Sequence, residues 1–222
     1  QIEEETIRRH KKAFENIPTG FVTDALDGEG TLSIDIKPVG DGIDINCTIV
    51  GAAVTAGNNA ADIMGTLAAL NFIQEDDVLV ASVSGHQGCA AAGDRVMGML
   101  KNCGGAGFVT DGPMRDYAGL VDVGLPAWCT GLTPASPFTK GPATVGLPIN
   151  IGGQKIESGD VIVADRDGVV VVPNCQIDFV INRLSQVADL EYSLDEAVRG
   201  GLKIPDPVKE MILGDNVKFV DD

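Results

Sequence analysis

Two aspartates and one arginine stand in this chain at a spacing that can build a reaction site. Asp94 follows Gly93, and twenty residues separate Asp94 from Arg115 and Asp116. A guanidinium at the edge of a sheet can bind a carboxylate or stabilise a developing enolate. A lone carboxylate such as Asp116 suits Mg²⁺, which keeps most of its waters and takes few protein ligands. These residue types predict chemistry on an anionic substrate.

The sequence around Asp94 is typical of a helix start. Backbone N–H groups of Asp94, Arg95 and Val96 would then form an anion pocket suited to a carboxylate. Gly93 would allow a ligand to approach the backbone closely. An ordinary structural explanation is also available, since Asp94 can be a helix N-cap and an adjacent Arg–Asp pair is usually solvated and worth little. The cap and the anion pocket are compatible, and both interpretations stay open.

The elements around these residues should bring them together. Residues 77–83 are typical of a buried strand, residues 94–101 of a helix and residues 106–110 of a second strand. In a strand–helix–strand unit, the helix start and the exit of the second strand lie at the same edge of the sheet. Open α/β sheets bind ligands at that edge. We therefore expect Asp94 and Asp116 to be neighbours.

The rest of the chain divides into short apolar segments and turns. We expect an N-terminal helix within residues 1–18, one main domain over 19–200 and a C-terminal tail at 201–222. Four prolines make residues 131–148 a loop. The other expected elements are helices at 2–16, 19–26 (capped by Thr19), 58–71 (capped by Asn58 or Asn59), 117–123 (ending at Gly124) and 176–199 (ending at Gly200-Gly201), strands at 47–57 and 126–130, and β-structure over 149–173 with a hairpin turn at 165–168.

The composition argues against several classes of protein. With 222 residues, 44% of them apolar, the chain fits one compact α/β domain. A net charge of −16 disfavours nucleic acid and anionic membranes as partners, and no apolar run predicts a membrane span. Five cysteines without a C-x-x-C pair favour free thiols in a reducing, cytoplasmic compartment over a zinc site. Residues 2–16 are too charged for a signal peptide, and the glycine run at 104–107 precedes a strand, so we expect no organic cofactor.

The sequence from Gly93-Asp94-Arg95-Val96 to Phe108–Asp116 resembles the RraA-like family, which includes 4-hydroxy-4-methyl-2-oxoglutarate/4-carboxy-4-hydroxy-2-oxoadipate aldolases. The resemblance begins at Thr19–Leu26, continues through Gly124-Leu125-Pro126, Gly152-Gly153 and Ser158–Pro173, and covers about residues 19–200. It implies an α/β, RraA-like swivelling (phosphohistidine-domain-like) fold, with a central mixed sheet flanked by helices. It also implies homotrimers, or hexamers as paired trimers.

The resemblance further implies a class II aldolase, which uses a divalent metal (Mg²⁺ or Mn²⁺) and no Schiff-base lysine. Such an enzyme cleaves a 4-hydroxy-2-oxo acid to pyruvate and a second 2-oxo acid, and decarboxylates oxaloacetate through the same enolate. By this resemblance Asp116 ligates the metal, Arg115 binds the pyruvoyl group, the backbone at Gly93–Val96 holds the carboxylate, and Asp94 acts on the metal through water.

The resemblance also implies a carboxylate from a neighbouring subunit. Glu191 in the last helix matches best by position and Glu196 is the fallback, although either could lie on an ordinary solvated helix face. His86, in a loop near the expected pocket, could donate to a substrate carboxylate, take part in proton transfer, or be a loop histidine without a catalytic role.

Two other functions stay open for this sequence. The family also contains a regulator of ribonuclease activity, which acts by binding a protein partner. Its relatives typically depart from the Arg–Asp pattern, whereas Arg115, Asp116 and Asp94 are intact here. The chain could also be an enzyme on the same scaffold that acts on another 2-oxo or hydroxy acid.

Overall fold

The computed structural model describes residues 11–214 and 217–218, which fall into two units. The first unit extends to Leu184 and the second begins at Ser185. The expectations for residues 1–10, including most of the N-terminal helix, lie outside the described residues. Residues 11–14 are helical, as expected for this part of the chain, and Phe14 is fully buried.

A mixed sheet is the centre of the first unit. Among the described residues it has eight strands, in the order β1-β5-β4-β3-β2-β9-β10, with β6 paired to β2. The pairs β2–β3, β3–β4 and β4–β5 are parallel, and the remaining pairs are antiparallel. A separate hairpin pairs β7 with β8. The strands are β1 Lys37–Pro38, β2 Ile49–Gly57, β3 Val78–Ser82, β4 Gly107–Thr110, β5 Ala127–Cys129, β6 Thr144–Val145, β7 Ile149–Ile151, β8 Gln154–Ile156, β9 Val161–Ala164 and β10 Val169–Val172.

The central strands β2, β3 and β4 are mostly apolar because both faces of the sheet are covered. In β3, Leu79 and Ala81 lie in a core cluster with helix residues, whereas Val78 and Val80 lie in a second cluster on the other face. The second cluster includes Ile162 and Ala164 of β9, Val169 and Val171 of β10, and Trp128 of β5. Parallel strands buried on both faces have continuous rather than alternating apolar sequences. The mixed α/β fold with a central sheet is confirmed.

Helices of the first unit pack against the sheet, and several of them connect its strands. In the first unit, α3 turns Val96, Met97 and Leu100 into the core, and α4 ends at Gly124, which adopts the left-handed conformation as expected for a C-cap. Among the described residues no helix is long and apolar enough to cross a membrane. The helices are α1 Thr19–Ala25, α2 Met64–Ala69, α3 Asp94–Asn102, α4 Tyr117–Val123, α5 Ile177–Arg199 and α6 Asp206–Ile212.

Two helix starts differ from the sequence-based expectation. Pro18 is the N-cap of α1, and the side chain of Thr19 donates to Asp165 Oδ1 at 2.8 Å instead of capping its helix. Helix α2 begins at Met64 rather than directly after Asn58. Asn58 still satisfies that helix start from a distance, because its Oδ1 accepts hydrogen bonds from the N–H groups of Gly65 and Thr66 at 2.7 and 3.2 Å.

The buried face of α3 should carry a large share of the stability of this unit. Leu100 is fully buried, whereas its neighbour Met99 is 41% exposed. We expect Leu100→Ala to lower the free energy of unfolding by about 2–5 kcal/mol, since it removes buried methyl groups and leaves a cavity. Met99→Ala is the matched control and should change it by about 0.5 kcal/mol or less. Urea denaturation measures both, and equal losses would contradict this packing.

Candidate active site

Three short extended segments pair beyond the carboxyl ends of the sheet strands. The N–H of Ala91 donates to Pro113 O at 2.7 Å, and the N–H of Arg115 donates to Ala92 O at 3.1 Å. On the other side, Met114 N–H donates to Gly131 O at 2.8 Å. Met114, in the middle segment, is fully buried. This pairing fixes the backbone of Arg115 beside the start of α3.

Six of the predicted site residues line one small pocket of about 50 Å³. This volume admits only a few atoms, so a substrate must extend from the pocket over open surface. Asp94 and Asp116 are therefore neighbours, as the topology predicts, and the roles of these residues in catalysis stay predictions. The lining comprises Gly93, Asp94, Arg95, Val96, Arg115 and Asp116, with Ile63, Ala92 and Pro137 completing it.

The guanidinium of Arg115 is held from two sides. Its Nε lies 3.1 Å from Asp116 Oδ2, and its NH1 donates to the hydroxyl of Ser136. The Arg115 side chain is 32% exposed and that of Asp116 is 42% exposed. An ion pair with this exposure adds little stability. Its consequence is geometric, because the Asp116 contact and the Ser136 contact together direct the guanidinium beside the pocket.

Asp116 has a backbone conformation that is uncommon for a residue other than glycine. Its φ is 62° and its ψ is 49°, in the left-handed region, directly before α4. Aspartate tolerates this region better than most residues, and such strain clusters at functional sites. The carboxylate lies so close to Gly93 that a Cβ at position 93 would be 2.7 Å from Asp116 Oδ2. Likewise, a Cβ at Gly119 in α4 would collide with the Asp94 carboxylate.

Helix α3 starts differently from the N-cap interpretation of Asp94. Gly93 occupies the N-cap, and Asp94 is the first helical residue. The first intrahelical bond runs from Met97 N–H to Gly93 O at 3.1 Å, and Arg95 N–H donates to Asp94 Oδ1 at 2.7 Å. The N–H groups of Asp94 and Val96 precede that ladder and point toward the pocket end of the helix. An anion pocket therefore fits this helix start.

The donor set fits a hard divalent cation that keeps most of its waters. The pocket offers carboxylate oxygens from Asp94 and Asp116, which Mg²⁺ and Mn²⁺ prefer. Among the described residues, no group of three or more His, Cys, Asp or Glu residues is placed to hold a metal ion. Within the part of the chain that the structure describes, this pocket thus has two carboxylates, and other ligands would be waters, substrate oxygens or groups from elsewhere.

The other predicted residues lie elsewhere in the fold. Glu191 is a half-buried residue of α5 in the second unit, and Glu196 is an exposed residue of the same helix. Their contribution to a neighbouring subunit's site stays a prediction. His86 lies in the loop between β3 and α3, where Asp111 accepts hydrogen bonds from Val83 and Gly85 N–H at 2.6 and 2.9 Å. Asp111 therefore orders the loop that carries His86.

Sequence reasoning missed the residues that support the site. Asp111 follows β4 directly, and its hydrogen bonds to Val83 and Gly85 N–H have no local signal in the sequence. Ser136 lies in a proline-rich loop and is linked to Arg115 only in three dimensions. Tyr117 follows Asp116 and donates to Asp44 Oδ2 at 2.6 Å, and this hydrogen bond raises the pKa of the Tyr117 hydroxyl.

A larger cavity of about 480 Å³ lies at the carboxyl ends of β2 and β3. Its lining includes Asn58, Asn59, Ser84 and Asn150, and no ionisable side chain belongs to it. The cavity therefore lacks side chains for general acid–base catalysis and carboxylate ligands for a metal ion. The smaller pocket, which gathers both carboxylates and the guanidinium, is the better candidate for an active site.

Comparisons with known proteins identify relatives along most of the chain. Residues 19–171 match the family described as RraA-like, Aldolase/RraA. A protein of Halalkalibacterium halodurans, named "Putative 4-hydroxy-4-methyl-2-oxoglutarate aldolase", is 38% identical over 207 residues, covering 93% of this chain and 90% of that protein.

Two solved structures share the fold. An uncharacterized protein from Pseudomonas syringae pv. tomato superposes with a TM-score of 0.76 at 26% identity, covering 88% of this chain and 91% of that one. RraAS2 from Streptomyces coelicolor, described as an unusual member of the RNase ES inhibitor RraA protein family, superposes with a TM-score of 0.70 at 25% identity, covering 86% and 98%.

The absence of a side chain at position 93 should be essential to the geometry of the pocket. We expect Gly93→Ala to lower the melting temperature, because its Cβ would lie 2.7 Å from Asp116 Oδ2 and 3.0 Å from Arg115 Cγ. Gly98→Ala, in the same helix, is the control. Its Cβ would approach nothing closer than 3.9 Å, so it should stabilise the helix by about 1 kcal/mol. A melting temperature that Gly93→Ala leaves unchanged, or raises as Gly98→Ala should, would refute the close approach.

Proposed function

This chain belongs to the RraA-like family, and from that premise we propose that it is a divalent-metal-dependent (class II) aldolase. The proposed reaction cleaves a 4-hydroxy-2-oxo acid, such as 4-hydroxy-4-methyl-2-oxoglutarate, to pyruvate and a second 2-oxo acid. The name of the relative from Halalkalibacterium halodurans supports this choice of substrate.

One observation carries the proposal. Arg115, Asp116 and Asp94 converge on a single pocket at the carboxyl edge of the sheet. Among the described residues that line this pocket, none is a lysine, so a Schiff-base mechanism has no nucleophile there. An enolate intermediate then needs stabilisation by cations, which Arg115 and a metal ion can provide.

The charges of the pocket favour a metal cofactor. Asp94 and Asp116 offset Arg95 and Arg115 in the lining, and the whole chain has a net charge of −16. A 4-hydroxy-2-oxo dicarboxylate carries two negative charges at neutral pH, so the field of the protein alone would repel it. A divalent cation on Asp116, with Asp94 acting through water, would compensate that charge and polarise the 2-oxo group. We propose that the further carboxylate comes from Glu191 of a neighbouring copy in a trimer or in paired trimers.

The protein's own residues would then direct the bond cleavage. Arg115 and the N–H groups at the start of α3 bind the C1 carboxylate beside the 2-oxo group. A water held by Asp94 takes the proton from the C4 hydroxyl. The C3–C4 bond then breaks and a ketone forms at C4. The electron pair of that bond stays with the C1–C3 fragment, which becomes the enolate of pyruvate, and Arg115 stabilises the enolate oxygen. Protonation at C3 completes pyruvate.

Loss of CO₂ from oxaloacetate produces the same enolate, so the same residues should also catalyse that decarboxylation. Arg115 would hold the carboxylate that remains, and the bond to the departing CO₂ supplies the electron pair. We therefore propose oxaloacetate decarboxylase activity as a companion to the aldolase reaction.

Asp116 should be essential for turnover. We expect Asp116→Asn to reduce kcat/KM for pyruvate release by about 100-fold or more, since an amide is a poor ligand for a hard cation. A panel of 4-hydroxy-2-oxo acids, assayed for pyruvate with Mg²⁺, with Mn²⁺ and with chelator, measures this. Asp122→Asn is the control, because Asp122 is an exposed residue of α4.

Two outcomes of that panel would count against the proposal. Unchanged turnover in Asp116→Asn, or turnover insensitive to chelator, would remove the metal site. A wild-type chain that releases no pyruvate but is captured by a ribonuclease would favour the regulatory function, to which the likeness to RraAS2 points.

The fork shape of the Arg115 guanidinium should matter beyond its charge. Lysine keeps the charge but loses the planar pair of donors, so Arg115→Lys should reduce kcat/KM for pyruvate release by about 100-fold. Arg183→Lys is a matched control, since Arg183 is also 32% exposed and also pairs with an aspartate, Asp27. Steady-state kinetics on both variants test this, and equal activities would show that Arg115 does not bind substrate.

A further inference from the structure

A segment of the proline-rich loop crosses the pocket and is anchored at both ends. We call residues 133–141 the strap. At one end, Thr133 N–H donates to Met114 O at 2.9 Å, and Ala90 N–H donates to Ala135 O at 3.0 Å. At the other end, the N–H of Phe138 donates to Ala61 O at 2.7 Å. The strap is therefore attached to two separate parts of the fold.

Asp62 fastens the second end of the strap. This aspartate is only 5% exposed. Its Oδ2 accepts hydrogen bonds from the N–H groups of Lys140 and Gly141 at 2.6 and 3.1 Å, and its Oδ1 accepts one from Met64 N–H at 2.8 Å. The backbone N–H of Lys140, and next that of Met64, lower the pKa of this carboxyl. Asp62 thus joins the start of α2 to the strap as an ionised acceptor.

The middle of the strap touches the catalytic candidates. Ser136 accepts the hydrogen bond from Arg115 NH1, and Pro137 lines the pocket together with Ile63. A free arginine side chain has many rotamers, and a pocket that binds carboxylate works best when the guanidinium is already directed. The strap supplies that direction through Ser136.

We propose that Asp62 is a positioning residue for this site: it fastens the strap so that Ser136 holds the Arg115 guanidinium facing the pocket. Asp62 itself touches no reacting atom. The inference rests on the proposed function of Arg115 as the group that binds the 2-oxo acid. It adds a structural requirement that residues 93–116 do not contain, because Asp62 and the strap both lie outside that stretch. Asp62 and Lys140 are 78 residues apart in the sequence.

A double-mutant cycle of Asp62 and Ser136 tests whether Asp62 acts on Arg115 through the strap. Both carboxylate oxygens of Asp62 accept hydrogen bonds from backbone N–H groups. In Asp62→Asn, one of these oxygens becomes an NH₂ group, which cannot accept such a bond. We expect kcat/KM for pyruvate release to fall about 10- to 100-fold. In the Ser136→Ala background the same change should cost less than about threefold, since both substitutions release the same guanidinium. Ser136→Thr, which keeps the hydroxyl, should retain most activity.

Asp160→Asn is the matched control for general destabilisation. Asp160 is also 5% exposed, and its carboxylate accepts hydrogen bonds from Glu157 and Asn174 N–H at 2.8 and 2.9 Å, outside the strap. It should leave kcat/KM within about twofold in both backgrounds. Amide hydrogen exchange gives a readout independent of activity: Asp62→Asn, but not Asp160→Asn, should accelerate exchange at Phe138, Lys140 and Gly141.

The outcomes separate this inference from the proposed function. Unchanged exchange in the strap, or an Asp62→Asn loss that persists undiminished in Ser136→Ala, would overturn the positioning role. If wild-type protein releases no pyruvate, the aldolase proposal fails, and the same cycle is measured on the affinity for oxalate, a planar mimic of the pyruvate enolate, in the presence of Mg²⁺. Absence of oxalate binding would overturn both. If Asp62→Asn does not fold, Asp62→Glu tests the same attachment of the strap with the charge retained.

Discussion

The pairing of residues 91–92 with residues 113–115 is the constraint on which the candidate site depends. Once Ala91 and Ala92 bond to Pro113 and Arg115, the chain has to turn sharply at Asp116 to enter α4. That turn uses the left-handed conformation and brings the Asp116 carboxylate against position 93, where a Cβ would lie 2.7 Å from Asp116 Oδ2. The two carboxylates and the guanidinium therefore meet because of backbone pairing, and their own attraction, at an exposed ion pair, contributes little.

Buried and half-buried aspartates hold the loops around the sheet. Within the described residues, Asp62, Asp111, Asp160 and Asp165 each accept at least two backbone N–H groups from loops or from the first residues of helices. Loop N–H groups that cannot join a ladder need acceptors, and a carboxylate is a stronger acceptor than a carbonyl. Part of the acidic excess of this chain is thus structural. The net charge alone does not reveal this.

The sequence was sufficient for the elements that local patterns define. The β3 and β4 strands, helix α3 and the end of α4 at Gly124 follow from apolar runs and turn residues, and the juxtaposition of Asp94 with Asp116 follows from strand–helix–strand topology. The predicted start of α2 was wrong because the N–H groups at the true start are satisfied by Asn58. This residue lies seven positions before Gly65, a distance that no capping rule covers. The support from Ser136 was missed for the same reason, since it lies 21 residues from Arg115.

This division between local and distant determinants has a physical basis. Residues that would act on a substrate lie within the short stretch 93–116, because one strand–helix–strand unit is enough to gather them at a sheet edge. The residues that immobilise those side chains must come from outside the unit, as Asp62 and Ser136 do. A guanidinium on an exposed edge cannot be fixed by its own segment alone. Two chains could therefore share the entire 93–116 motif and differ in how firmly Arg115 is directed. Under the proposed chemistry, that difference would appear in the reaction rate, whereas the fold would be the same.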